Sequence, residues 1–185
     1  QPVKLIKKGI LDRDVFNLIL NNSRVPYDME GDISAQISGC EFGQNELIAV
    51  YHRYGVDTVK AAIDELINYS ERLTRAEIKK IKNGSYRAQT LVLDDGAYGG
   101  PHRLKVAVHV QDNNIHFDYS GTDPQIKGPI NAPWAATYSA THYVMRALTD
   151  PDIPTNDGCS KPIHITAPEG TLVNCSKPAA CYQRM

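Results

Sequence analysis

Between Arg103 and Tyr119 the apolar residues alternate on both sides of a polar pair, Asp112-Asn113. Strict alternation is the period of a β-strand, whose successive side chains point to opposite faces. Asp112-Asn113 suits the two-residue turn of a hairpin. The register this sets pairs Val110 with Ile115, Val108 with Phe117 and Val106 with Tyr119. Every apolar partner then lies on one face, whereas a slip of one residue would turn that face to solvent. A further strand over residues 86–94 is expected before the hairpin. The chain must therefore build a sheet with one apolar face and cover it.

The cover is expected from the first half, where the period is helical. Asp12 is placed to cap a helix over 13–21, with Val15, Leu18 and Ile19 on one face. Arg24-Val25-Pro26 reads as an extended link, since the residue before proline avoids the helical region. A long helix over 29–54 follows, with Ile33, Ile37, Cys40, Leu47 and Tyr54 in a stripe. Gly39 and Gly43 lie inside it, each costing about 1 kcal/mol relative to alanine. They are expected to mark a close backbone approach or a break. Gly55 stops this helix and Asp57 caps the next, over 58–82, whose apolar face is Val59, Ala62, Ile63, Leu66 and Ile67. Glu71 and Arg75 form an i,i+4 pair on its polar side. The short connection predicts a near-antiparallel helical hairpin.

Beyond Tyr119 come a loop over 120–133, a helix over 135–148 and a proline-broken loop over 150–156. Short strands are expected over 162–167 and 171–174, around Glu169-Gly170. The class is α+β: a long helical hairpin packed with a small antiparallel sheet, plus irregular loops. Residues 1–84 form the helical segment and 85–185 the sheet-containing segment.

The formal net charge is −1, with 42% hydrophobic and 22% charged residues. That balance carries no global attraction to nucleic acid or anionic membrane. No apolar run reaches the roughly 20 residues of a membrane span. Lys4, Lys7 and Lys8 are not followed by the apolar core of a signal peptide. A cytoplasmic setting is expected. Cys40, Cys159, Cys175 and Cys181 form no C-x-x-C pair or zinc ribbon, and reduced thiols are expected. Gln1 is not an initiator methionine, and residues 179–185 hold neither helix stop nor polar tail. An internal piece of a larger subunit is expected, with both segments belonging to it.

The most unusual stretch is Asp118-Tyr119-Ser120-Gly121-Thr122-Asp123-Pro124-Gln125, continuing to Gly128-Pro129-Ile130-Asn131-Ala132-Pro133. It leaves a strand with acidic, hydroxyl and amide side chains and with glycines that admit a close ligand. The same residue types also make ordinary turns. Asp118, Thr122, Asp123 and Asn131 are the candidates for a polar site or its support, with Asn156 in the second loop. His109 and His116 should face each other across the hairpin, with Asp118 next on the same face. This is a conceivable metal donor set, although a solvated polar face is the commoner outcome. No G-x-S-x-G, G-x-x-x-x-G-K-[ST], H-E-x-x-H or strand-borne G-x-G-x-x-G occurs.

Several separated motifs occur in one order. They are Gly31-Asp32-Ile33-Ser34-Ala35-Gln36-Ile37, the Tyr54-Gly55 stop, Tyr69-Ser70-Glu71-Arg72, the stretch 118–133, and Asp152-Ile153-Pro154-Thr155-Asn156-Asp157-Gly158-Cys159 leading to Ala167-Pro168-Glu169-Gly170-Thr171. Together they resemble the hydantoinase B family, which takes in the beta-type subunits of N-methylhydantoinases, part of 5-oxoprolinase and the alpha subunits of acetone carboxylases. The resemblance implies ATP-dependent chemistry on cyclic amides or, alternatively, on ketones. It implies a hydantoinase A-like partner that binds ATP and activates the carbonyl, and a divalent metal in the full B-type subunit. The family's metal-binding His/Asp motifs lie upstream of the matching part. No metal ligand is therefore assigned within residues 1–185, and the piece alone is expected to be inactive. A scaffold that docks the kinase-like partner is the non-catalytic alternative.

Overall fold

The computed structural model describes residues 3–181. The readings at Gln1 and at residues 182–185 lie outside them. The chain divides into two compact units, Gln1–Ala61 and Ala62–Met185.

The first unit opens with a hairpin that the helical period does not foretell, β1 (Ile6–Lys7) paired antiparallel with β2 (Ile10–Leu11). Lys8 and Gly9 turn it with φ of 51° and 80°, values that glycine takes at no steric cost. Asp12 then caps α1 (Arg13–Asn21) as expected, accepting from the Val15 N–H at 3.2 Å. Helix α2 (Pro26–Tyr54) begins three residues before the expected start, because Pro26 sits at its first turn, where a missing N–H costs nothing. Gly39 and Gly43 neither break α2 nor meet a neighbour, since a β-carbon at either would touch nothing. This corrects the expected break or close approach. No residue of α2 is buried. Of the stripe expected there, Ile33 and Ile37 are half-buried and Leu47 and Tyr54 are exposed, as are Tyr27 and Phe42. Gly55 ends α2, and α3 (Val56–Ile78) starts at once.

In the second unit the C-terminal half of α3 carries the buried stripe, on Ser70, Thr74 and Ile78. Ile63 and Leu66 of the expected apolar face are exposed. A polar stripe can be buried here because it is satisfied. The Ser70 hydroxyl donates to the Pro154 carbonyl at 2.9 Å, and the Thr74 hydroxyl to the Ser70 carbonyl at 2.9 Å.

The sheet order is β3-β4-β5-β6, from β3 (Gly84–Val92), β4 (His102–Gln111), β5 (Asn114–Asp118) and β6 (Ile163–Thr166). The hairpin register is the expected one, with Val110 opposite Ile115 and Val108 opposite Phe117. The sheet is mixed rather than antiparallel, because β6 joins β5 in parallel. A parallel neighbour needs a long crossover, which residues 119–162 supply with α4 (Trp134–Leu148) inside them. The strand expected over 171–174 is instead a turn closed by an Asn174 N–H to Thr171 carbonyl bond of 3.1 Å. Ile78, Val110, Ile115, Phe117, Met145 and Ile163 make the core, drawn from α3, three strands and α4. Among the described residues no helix is long and apolar enough to cross a membrane.

Candidate functional site

The stretch from Asp118 leaves β5 and laces itself to β4 and to residues 170–181. Asp118 closes a tight turn, its carboxylate accepting from the Ser120 N–H at 2.9 Å. The Ser120 hydroxyl and N–H hold its pKa below the usual carboxylate range, helped by the nearby His116 and His109. Thr122, 6% exposed, uses its hydroxyl in both directions on Lys105. It accepts from the Lys105 N–H at 3.0 Å and donates to the Lys105 carbonyl at 3.1 Å. Asp123 does the same for Arg103. Its carboxylate accepts from the Arg103 N–H at 2.7 Å, and its own N–H donates to the Arg103 carbonyl at 2.9 Å. The Arg103 N–H, then the Arg103 guanidinium at 3.4 Å, lower the Asp123 pKa. Two side chains therefore continue the β4 ladder where β5 has ended.

Asn131, 3% exposed, fastens the other end of the loop. Its amide oxygen accepts from the Ile126 N–H at 2.9 Å. Its amide nitrogen donates to the carbonyls of Ile126 at 2.8 Å and of Gly128 and Ala180 at 2.9 Å. Leu172 joins the two ends of the loop, donating to the Asp123 carbonyl at 3.1 Å and accepting from the Ala132 N–H at 2.7 Å. Cys175 and Cys181 are free thiols with their sulfurs 3.2 Å apart. Burial, then the neighbouring thiol, push the Cys175 pKa up.

Asn156 sits elsewhere and shares no hydrogen bond with the other four candidates. It caps the short 3-10 helix Asp157–Cys159, accepting from the Gly158 N–H at 2.9 Å, and donates to the Ser70 hydroxyl at 2.8 Å. Gly158 lies so close to α3 that a β-carbon there would collide with the Ile67 carbonyl. Glu71, one turn along α3, binds Arg75 at 2.8 Å as expected and also Lys161 at 2.8 Å.

Asp95 belongs to none of the sequence motifs. One carboxylate oxygen accepts from three N–H groups, those of Ala97, Tyr98 and Gly99, at 2.9, 2.6 and 3.0 Å. The Tyr98 N–H is the foremost cause of its lowered pKa. The other oxygen is buried without a hydrogen-bond partner among the described residues, 3.7 Å from the His102 Nε2. It abuts Gly128, where a β-carbon would collide with the carboxylate. Asp95 thus presses the turn 94–100 against the 118–133 loop. The only trace in the sequence is Asp-Asp-Gly, a common turn composition.

The outer face of the sheet collects the remaining polar groups. His109 and His116 are opposite each other, as expected, with ring centroids 6.0 Å apart. His109 Nδ1 is 2.8 Å from the Ser85 hydroxyl and His116 Nε2 is 2.8 Å from the Thr166 hydroxyl. Among the described residues no three His, Cys, Asp or Glu side chains converge to hold a metal ion.

An α+β unit with this mixed sheet, laced by the 118–133 loop, is a fold shared with large ATP-dependent enzymes. A solved ATP-dependent caprolactamase from Pseudomonas jessenii superposes with a TM-score of 0.84 at 32% identity, over 98% of this chain and 31% of that one. An acetone carboxylase in its nucleotide-free state superposes at 0.83 and 18% identity, over 97% of this chain and 25% of that one, a likeness of fold alone. The B-type subunit of a putative D-/L-hydantoinase from Pseudomonas sp. (strain NS671) is 36% identical over all of this chain and 33% of its own length. The hydantoinase B/oxoprolinase family model matches residues 1–185. The chain belongs to that family and spans about a third of the length of these relatives.

Proposed function

We propose that this chain serves within the B-type, metal-bearing subunit of a cytoplasmic ATP-dependent hydrolase that opens cyclic amides such as hydantoins or 5-oxoproline. The observation that carries the reading is the family match along the whole chain. The relatives more than 30% identical include a hydantoinase and a caprolactamase, both named for cyclic amides. The ketone-carboxylase reading leans on an 18% identical neighbour, and identity at that level speaks for fold and not for substrate. In the proposed system a hydantoinase A-like partner binds ATP and activates the carbonyl by phosphorylation. The B-type subunit completes hydrolysis, with a divalent metal in the full subunit as Lewis acid or water activator.

A second reading has its own support. Thr122, Asp123, Asn131 and Asn156 commit their hydrogen bonds within the chain, which favours a scaffold role for this region beside chemistry performed elsewhere in the subunit.

The test is ATP hydrolysis by the full-length subunit with its kinase-like partner, against hydantoin, 5-oxoproline, and acetone with bicarbonate. Stimulation by a cyclic amide without bicarbonate is the expected result. Stimulation by acetone alone among these, and only with bicarbonate, would replace the hydrolase reading with the carboxylase one.

A further inference from the structure

On the outer face of the sheet the register builds a grid. Arg87 lies opposite Ala107, which lies opposite Asp118; Gln89 lies opposite Lys105 in the next row. Ser120, in the turn that follows Asp118, lines the same cavity as Lys105. Ala107 is the small member of this grid, and over it opens a cavity of about 490 Å³ walled by Arg87, Gln89, Lys105 and Ser120. That volume is within the range of small-molecule sites.

Three observations give the cavity its character. The salt bridges of this unit use Arg72, Arg75, Lys80, Arg103 and Lys161, with His102 beside Asp95. Among the described residues neither Arg87 nor Lys105 takes part in one. Both cations therefore face the cavity with their charge unneutralised by a close carboxylate. Next, Lys105 is held in place. Its stem crosses Gly121, where a β-carbon would lie 3.3 Å from Cδ and 4.0 Å from Nζ, and its backbone is clasped by Thr122. Lastly, Asp118, the carboxylate nearest along the grid, is turned into its own Ser120 turn. The 118–133 stretch thus supplies one wall of the cavity and steadies one of its two cations.

We propose that this cavity is a binding site for an oxyanion of a small molecule, a carboxylate or phosphate group. Arg87 offers a planar pair of N–H donors suited to two oxygens at once, and Lys105 offers a point charge. Gln89 supplies a neutral hydrogen bond, the Ser120 hydroxyl being given to Asp118, and Ala107 leaves room for the group to reach the sheet. The site goes beyond the hydrolase reading and does not rest on it, because binding is read without turnover.

The test is calorimetric titration of the full-length subunit with inorganic phosphate and, separately, with succinate. Binding of at least one anion is expected, weakening as sodium chloride screens the cations. Arg87→Gln/Lys105→Gln should weaken it roughly tenfold or more, the loss expected for charge-assisted hydrogen bonds. Ala107→Leu should do likewise while leaving both charges in place, so a folding defect in the charge variant does not decide the matter. Binding of phosphate alone would assign a phosphate group, and of succinate alone a carboxylate. Affinity unchanged in both variants, or no binding of either anion to the wild-type subunit, would overturn the site.

Discussion

Asn131 commits both ends of its amide inside the chain, its oxygen accepting one bond and its two N–H protons shared among three carbonyls. Removing it leaves buried backbone groups of the loop without partners, each costing about 1–3 kcal/mol. Asn131→Ala is therefore expected to lose about 2–4 kcal/mol of unfolding free energy in urea. A loss of turnover with stability intact would instead mark Asn131 as a group that meets substrate. Asp95 makes a prediction about pH. Its folded pKa is lowered from 3.8, first by the Tyr98 N–H. The unfolded chain then takes up the proton first, so the stabilisation is present above the ordinary carboxylate pKa and is lost as pH falls through the folded value. Asp95→Asn should flatten the acid limb of the stability curve, seen in unfolding midpoints measured between neutral pH and pH 3. Polarity was legible at residues 118, 122, 123 and 131, but not its use. Whether an amide meets substrate or backbone depends on which carbonyls the fold brings near it, and Ala180, 49 residues away, has no local trace.

Among the elements, the β4–β5 hairpin was legible down to its register, because alternation and turn composition both act locally. Helix α3 was legible as a helix but its buried face only in part, since Val59 of the expected face is buried. Apolar periodicity points to Ile63 and Leu66, while the core takes Ile78 beneath a stripe of Ser70 and Thr74. Ser70 can be buried because Pro154 and Asn156 reach it from the far end of the chain. The parallel placement of β6 was illegible for the same reason, since a four-residue strand carries no signal of its neighbour's direction. The contact between Gly158 and α3 is the most exposed to test. Gly158→Ala should push the 3-10 helix off Ile67 and break the Asn156 to Ser70 bond, at a cost of about 1–3 kcal/mol. Thermal unfolding of the variant measures this directly. An unchanged melting temperature would mean that the close approach does not hold the loop.

At the scale of the molecule, one face of the second unit's sheet feeds the apolar core, and the other carries histidines, cations and the wall built by the 118–133 stretch. The first unit contributes α2, with no buried residue and with Tyr27 and Phe42 exposed by 86% and 68%. Family membership rests on the whole length of the chain, and the cyclic-amide reading rests on that membership. The most direct measurement of that reading is the ring-opened product itself. The full-length subunit, the proposed ATP-binding partner and ATP are incubated with hydantoin or 5-oxoproline, and the products are resolved by mass spectrometry. Ring opening that requires ATP and proceeds without bicarbonate is the predicted result. Intact rings alongside a carboxylated ketone, formed only when bicarbonate and acetone are supplied, would contradict it.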